Sequence, residues 1–497
     1  MDEAAGERVR QYPPAARRRL ILLASLMATF ITAVESSIVA TAMPTIIGAL
    51  GGFNLFSWVF AAYLLTMAVS IPVYGRLADL HGRKRVFFAG TGIFLIGTTL
   101  CGFSSTMASL IVWRAVQGLG AGAVQPIVST VVGDIYSPAE RARVQGYVSG
   151  VFGVAAVLGP ALGAFIVTHL HWALVFWVNL PVGLAAIAMY AVFLDERIER
   201  RPHVIDYPGG LLLTIGVGAV MLALVQGGSL GAAGVASVVA IAVAAFIGLA
   251  LQERRAAEPI VPFALWRNRV IALANLGTFG TGAAMMGVSA FLPAYVQGVM
   301  GQSPGVAGVA LGCQSFSWTF GTIAAARLMV RISYRASASV GGATLVIGAG
   351  ILALLQPTSG VGWAVAGSLV MGFGIGFCNP AFLVSTQASV DWGQRGVATG
   401  SVMFMRILGS SLGAALFGAI VNIAVERRAP GAGDAVNRLL QPGLRDSLGG
   451  AAIARLSAAV AAGVHEVYLV LMLIAALTLA VSLCFPAGVS PVTHARR

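Results

Sequence analysis

Apolar stretches of about 20 residues or more recur along the whole chain, separated by short polar connections rich in Arg. A helix needs about 20 mostly apolar residues to cross the hydrocarbon core of a bilayer. The pattern predicts fourteen spanning helices, near 20–43, 57–77, 86–106, 108–132, 143–168, 173–194, 208–226, 232–251, 270–297, 305–328, 336–356, 361–388, 396–424 and 467–486. The expected class is an all-α polytopic membrane protein. The stretch 426–465 is the one long outer connection. Its segment GGAAIARLSAAVAAG fits a small amphipathic helix lying on the outer surface, or a flexible linker.

Charge tests the count. With the N-terminus in the cytoplasm and the spans alternating, 24 of the 31 Lys and Arg fall on the inner side. Arg114 and Arg406 fall inside spans, and Arg427, Arg428, Arg438, Arg445 and Arg455 share the long outer connection. A miscounted span would scramble this asymmetry, so the positive-inside bias supports both the count and cytoplasmic termini. It also accounts for the net charge of +13 without nucleic acid as a partner. Arg17, Arg18 and Arg19 before the first run imitate a signal peptide. No small-residue cleavage site followed by a soluble domain appears, so that run is expected to stay as the first helix.

Composition agrees. The chain is 58% hydrophobic and 10% charged, where a soluble chain would carry roughly a quarter charged residues. Its Arg are matched by a single Lys, Lys84, and Ala and Gly abound. That bias suits a GC-rich genome and a bacterial plasma membrane. Cys101, Cys313, Cys378 and Cys484 lie far apart in apolar runs, as packed thiols rather than disulfides or metal ligands. The sequence has no GxxxxGK[ST] phosphate loop, catalytic triad, haem ligand set or zinc spacing. Neither an enzymatic reaction nor a cofactor is expected, and a proton gradient replaces ATP as the energy source.

An internal repeat organises the spans. GLGAGAVQP at 118–126 matches GFGIGFCNP at 372–380 at an offset of 254, and Arg141/Arg395, Gly146/Gly400 and Gly159/Gly413 keep that offset. GRLADLHGRK from Gly75 matches ARLMVRISYR from Ala326 at 251. Spans one to six (20–194) and nine to fourteen (270–486) are thus two related halves. Residues 195–269, with spans seven and eight, are an insertion between them; 1–19 and 487–497 are cytoplasmic ends. Both halves start from the same side, which is the parallel repeat of major facilitator transporters, with substrate held between the halves.

The motifs carry the same resemblance. GRLADLHGRKR (75–85), between spans two and three, resembles the signature loop of the major facilitator superfamily. Gly75 permits close helix approach. Asp79 can face a helix N-terminus or pair with a base, and Arg83 can pair with an acid, for which Asp134 is the candidate. Arg76, Gly82 and Lys84 complete the loop, and Leu80 and His81 depart from the usual pattern. VSGVFGVAAVLGPALGAFI (148–166) resembles the motif of the antiporter branch. There Gly150, Gly159 and Gly163 allow close packing and Pro160 bends the span; Ala164 replaces a usual glycine. WRAVQGLGAG (113–122) resembles the motif whose intramembrane arginine, here Arg114, takes part in proton transfer. ESSIVATAMP (35–44), FWVNLPVG (176–183) and FLPAYVQGVMGQSPGVAG (291–308) resemble the fourteen-helix drug:proton antiporter family, with Glu35 where aspartate is commoner and Ala173 where arginine is usual. The resemblance covers essentially the whole chain.

Glu35 is the carboxylate placed well inside an apolar run, and such groups mark ion or substrate paths. Counted from the outer ends of their spans, Glu35 and Arg114 both sit about 10 Å deep at roughly 1.5 Å per residue. They can meet if spans one and four are neighbours, as the resemblance implies. Ser368 aligns with Arg114 and Met286 falls opposite Glu35, so proton coupling is expected in the first half alone. For the substrate cavity the candidates are Phe279, Met285, Met286, Phe291, Tyr295, Gln297, Gln314, Asn379 and Gln387, with Trp318 beside them. Arg406 has three open readings: a partner of backbone carbonyls, an anion trap or a substrate contact. The expected function is efflux of lipophilic compounds by proton antiport, from a monomer in the bilayer. Rival readings are export of a specific endogenous metabolite, anionic ones included, and a non-transporting receptor on the same fold.

Overall fold

The computed structural model describes residues 14–136, 138–196, 206–256, 260, 263–329, 333–391, 394–440 and 445–486. The first half comprises α1 (Ala15–Leu50), α2 (Phe56–His81), α3 (Arg83–Gly102), α4 (Met107–Ala121), α5 (Val124–Ile135), α6 (Pro138–His169), α7 (Leu174–Trp177) and α8 (Asn179–Phe193). Next comes α9 (Tyr207–Glu253). The second half comprises α10 (Arg269–Ala294), α11 (Pro304–Met329), α12 (Tyr334–Ala353), α13 (Val361–Ala388), α14 (Arg395–Arg428), the short α15 (Gly433–Leu440) and α16 (Gly450–Leu483). Several starts are set by side-chain caps: Thr106 and Ser109 form a reciprocal capping box on α4, while Asp206, Asn268 and Ser333 each accept a backbone N–H of the helix they open.

Thirteen described segments are long and apolar enough to cross a bilayer. The fourteenth, α11, has 26 residues and is less apolar, because Gln314, Ser315, Ser317 and Thr319 interrupt it. It packs between α13 and α6. The fold is two six-helix bundles, and the packing repeats between them. In the first bundle α1 lies against α6 and α8, and α4 against α2 and α3. In the second, α10 lies against α14 and α16, and α13 against α11 and α12. Matched glycines make matched contacts. A Cβ on Gly118 would overlap the carbonyl of Tyr63, and one on Gly372 would overlap that of Gln314. Only a residue without a side chain lets these helix backbones touch.

The halves meet along two seams, α2 with α14 and α6 with α11. The α9 segment folds back at Gly231, where φ is 67° and the helical geometry breaks. Its two arms pack on each other, Gly216 against Phe246 and Gly248 against Leu212. This hairpin lies on the α2–α14 seam, with Met221 Sδ 4.0 Å from Ser411 Oγ. The α6–α11 seam carries a shallow apolar groove of ≈ 410 Å³ lined by Gly150, Val154, Val157, Leu158, Phe316 and Phe320, among others.

The outer connection differs from the expectation. α14 continues to Arg428, and GGAAIARLSAAVAAG is not a separate surface helix but the first half of α16. Nothing in that Ala-rich stretch breaks a helix, and Leu456, Val460 and Val464 are buried, so the last span simply extends outward. The connection proper shrinks to residues 429–449, and it folds over the outer ends of the bundles. Asn437 Oδ1 accepts the Phe53 N–H at 3.1 Å, and Arg445 Nη1 donates to the carbonyls of Gln297 and Gly298 at 3.0 and 3.1 Å.

Candidate functional site

The first bundle encloses a polar knot in an apolar core. Arg114 on α4 donates through Nη1 to Glu35 Oε1 on α1 at 2.5 Å and to Gln117 Oε1 at 2.6 Å. Its Nε donates to the Val59 carbonyl at 3.1 Å, and its guanidinium carbon lies 4.0 Å from the centre of the Tyr63 ring. Asn179, at the start of α8, donates to the second carboxylate oxygen, Oε2, at 2.5 Å. Gln117 in turn donates to Thr98 Oγ1 on α3. Glu35, Arg114 and Gln117 are wholly buried and Asn179 is 1% exposed. Five helices therefore converge on one ion pair. A charge placed here is tolerable only when paired and fully hydrogen-bonded.

The structure thus brings Glu35 and Arg114 together at the shared depth inferred from the sequence. Gln117, Asn179, Thr98 and Tyr63 went unnoticed in the sequence. Gln117 had a local signal, because it lies three residues after Arg114 on the same helix face. Asn179 sits within FWVNLPVG, as the one amide in an apolar run. Thr98 and Tyr63 had none beyond polarity. In the second bundle the aligned Ser368 and Met286 are both buried and uncharged.

At the inner ends, Arg83 Nε lies 3.1 Å from Asp134 Oδ2. A second acid, unforeseen, completes the contact. Glu196 accepts the backbone N–H groups of Arg83 and Lys84 at 2.5 and 3.0 Å and lies 3.7 Å from Arg83 Nη1. A carboxylate there both caps α3 and meets the positive end of its dipole. Lys84 Nζ donates to the carbonyls of Ala191 and Leu194. Gly82 links α2 to α3 with φ of 90°, a conformation that favours glycine. Arg76 is partly buried, and the Asp79 side chain lies outside the described residues. Gly75 is no tight contact: a Cβ there would sit an ordinary 4.0 Å from Pro126.

The α6 motif divides. A Cβ on Gly159 would strike Ser37 Oγ, and one on Gly163 would lie 2.8 Å from the Ile38 carbonyl, so both press α6 onto α1. Gly150 has nothing within 4 Å of such a Cβ, because it faces the open groove against α11. Pro160 lies inside α6 at the seam, with its carbonyl against Gly308.

The second-bundle candidates also separate. Phe291 packs edge-on against Phe56 at 5.2 Å and near Phe417 at 6.1 Å. Tyr295 and Gln297 lie in a π-helical turn, and Gln297 Nε2 donates to the Thr41 carbonyl across the halves at 3.3 Å. These three build an outer closure rather than line an open cavity, together with Ser411 bonded to the Ala61 carbonyl and Asn422 bonded to the Asn54 carbonyl. The long aromatic and amide side chains sit where the halves meet, and fill that interface. Gln314 and Met286 are buried, the former 3.5 Å from Ser289. Phe279, Met285, Trp318, Asn379, Gln387 and Arg406 are partly exposed, and Phe279, Met285 and Trp318 also pack against the apolar core. Asn379 accepts from Thr281, and Gln387 donates to Thr399.

Residues 25–414 match the family model described as the Major Facilitator Superfamily. The chain is 33% identical to Multidrug resistance protein 3 of Bacillus subtilis (strain 168) over 411 residues, 82% of this chain and 80% of that one. It is equally identical to Multidrug transporter protein MdtP of the same organism, over 82% of this chain and 76% of that one. Among solved structures, a bacterial homologue of the human lysosomal transporter Spinster, inward-facing and unoccupied, superposes with a TM-score of 0.66 at 15% identity, covering 95% of this chain and 98% of that one. The two repeated bundles, the inner-loop contacts and these similarities agree: the chain belongs to the major facilitator superfamily of membrane transporters.

Proposed function

We propose that this transporter exports lipophilic small molecules in exchange for inward-moving protons, by alternating access. The buried Glu35–Arg114–Asn179 knot carries the reading. An arginine stays protonated throughout the accessible pH range, so Glu35 is the group that can gain and lose the proton. The arrangement suits that task. If Glu35 is neutralised, Arg114 still holds the Val59 carbonyl, the Gln117 amide and the Tyr63 ring face. The cation is never orphaned, and the five helices keep their common centre. Similarity to the two Bacillus multidrug proteins supports export of more than one lipophilic compound.

The outer ends are closed in this state, so the next step of the cycle parts Phe291, Gln297 and Ser411 from the first bundle. Reconstituted protein with an imposed pH gradient tests the reading, using a panel of lipophilic cations, neutral compounds and organic anions. Wild type is expected to move at least one of them against its gradient, and Glu35→Gln only to equilibrate it. Equal accumulation by both proteins would remove Glu35 from the coupling step.

A further inference from the structure

Arg406 is a second intramembrane cation, and no described residue neutralises it. Among the described residues it makes no ion pair, and its guanidinium makes no hydrogen bond. The second bundle has five carboxylates, Asp391, Glu426, Asp434, Asp446 and Glu466. Asp391 follows the inner end of α13, and the other four lie at the outer ends. Glu426 is the one on α14 itself, 20 residues from Arg406, which is about 30 Å along a helix. Glu35 is already engaged by Arg114 and Asn179. With that pair neutral as a unit, Arg406 leaves the described interior of the second bundle with a net positive charge.

Its direction is fixed by its neighbours. Thr399, Arg406 and Ser410 follow helical spacing along one face of α14. Thr399 is bonded to Gln387 on α13, and Ser410 donates to the Gly282 carbonyl on α10 at 2.9 Å. The face therefore looks into the bundle rather than toward lipid. A Cβ on Gly282 would overlap the carbonyl of Arg406, so α10 and α14 are locked at this level. The preceding residue, Thr281, donates to Asn379 Oδ1 at 2.8 Å. That bond uses the acceptor of the Asn379 side chain, whose amide nitrogen has no partner among the described residues. The Arg406 backbone and the Asn379 side chain thus meet the same point of α10, at Gly282 and Thr281, and both residues are partly exposed and carry donor groups.

We propose that Arg406 and Asn379 form an anion-binding pole, and that the exported compounds are amphiphiles with an anionic head, such as a carboxylate, and an apolar body. The proposal rests on the export reading and names its substrate class. Arginine presents a planar fork that a carboxylate meets with two hydrogen bonds. Phe279 and Met285 on α10, both partly exposed, are the apolar residues proposed to meet the body. The charge count has a consequence for energetics. Exchange of one proton inward for one monoanion outward moves two charges in the same electrical sense. Exchange of a proton for a monocation moves none.

Three probes with one body separate the possibilities: 1-naphthylacetate, its uncharged acetamide and the quaternary naphthylmethyl-trimethylammonium. Binding to the full-length protein in nanodiscs is expected to be at least about tenfold tighter for the carboxylate than for either analogue. Arg406→Gln brings the carboxylate down to the level of the acetamide and leaves the acetamide unchanged, which also reports an intact fold. Arg406→Lys retains part of the preference, and Asn379→Ala loses about threefold. Tighter binding of the ammonium probe, equal binding of all three, or a preference that survives Arg406→Gln overturns the proposal. In proteoliposomes, carboxylate flux is expected to rise when the compartment it leaves is made electrically negative. The predicted binding preference without flux of any probe would overturn the export reading and leave the anion pole standing.

Discussion

The polar knot makes unequal demands on its two charged members. Removing Arg114 leaves Glu35 wholly buried, with the Asn179 and Gln117 side chains as its remaining partners and no cation. Breaking a buried pair in this way costs about 3–5 kcal/mol. Removing the charge of Glu35 is milder. In Glu35→Gln the amide oxygen still accepts from Arg114, which keeps the Val59 carbonyl at 3.1 Å and Gln117 at 2.6 Å. The new N–H₂ faces Asn179, whose amide turns so that its oxygen accepts, and the remaining loss is one charge-assisted bond weakened to a neutral one, about 1–2 kcal/mol. The double variant Glu35→Gln/Arg114→Gln removes both charges together and should be more stable than Arg114→Gln alone, with a coupling of about 2–3 kcal/mol between the sites. Reversible unfolding in mixed SDS and dodecylmaltoside micelles, followed by the fluorescence of the eight Trp residues, measures all three. Equal losses for Glu35→Gln and Arg114→Gln would refute the reasoning. The pair would then be a static brace, and a proton could not cycle on Glu35 without unfolding its surroundings.

Other outcomes follow from the same geometry. Glu196→Ala removes the cap shared by the Arg83 and Lys84 N–H groups; it should cost about 1 kcal/mol and speed hydrogen exchange at the start of α3, read by mass spectrometry. Gly418→Val forces a side chain against Ser57 and should hold the outer ends apart. A cysteine placed at Phe56 would then react faster with an impermeant maleimide, while transport falls. Asn437→Ala deletes the bond to the Phe53 N–H and should raise the same labelling rate several-fold, without the steric effect. Unchanged labelling in both variants would mean that the outer closure does not depend on these contacts.

Much of the architecture was legible because bilayer physics writes it along the chain. The apolar runs are long, the connections short and the Arg bias one-sided, so element type and number follow from length and charge alone. The repeat survives in the residues where backbones touch, which is why Gly118 and Gly372 align. Contacts between distant residues were less visible. Arg114 and Glu35 could be paired from depth, but Asn179 and Thr98 approach from helices whose rotation no single sequence reveals. Glu196 was missed because an acid in a polar connection reads as a solvated charge until the start of α3 is found beside it. The α16 extension was missed because an Ala-rich amphipathic stretch has the same local signature whether it lies on a surface or stands on a span; only the burial of Leu456 and Val460 decides.

The two seams between the bundles are not equivalent doors. The α9 hairpin covers the α2–α14 side, whereas the α6–α11 side carries an apolar groove that no described helix covers. Under the proposed export of lipophilic compounds, a substrate dissolved in the membrane would enter from that one flank. Its supply is set by diffusion in two dimensions and by its partition coefficient. Turnover should accordingly track the amount held in the lipid rather than the amount free in water, and neighbours crowding the open flank should slow it where neighbours on the hairpin side do not.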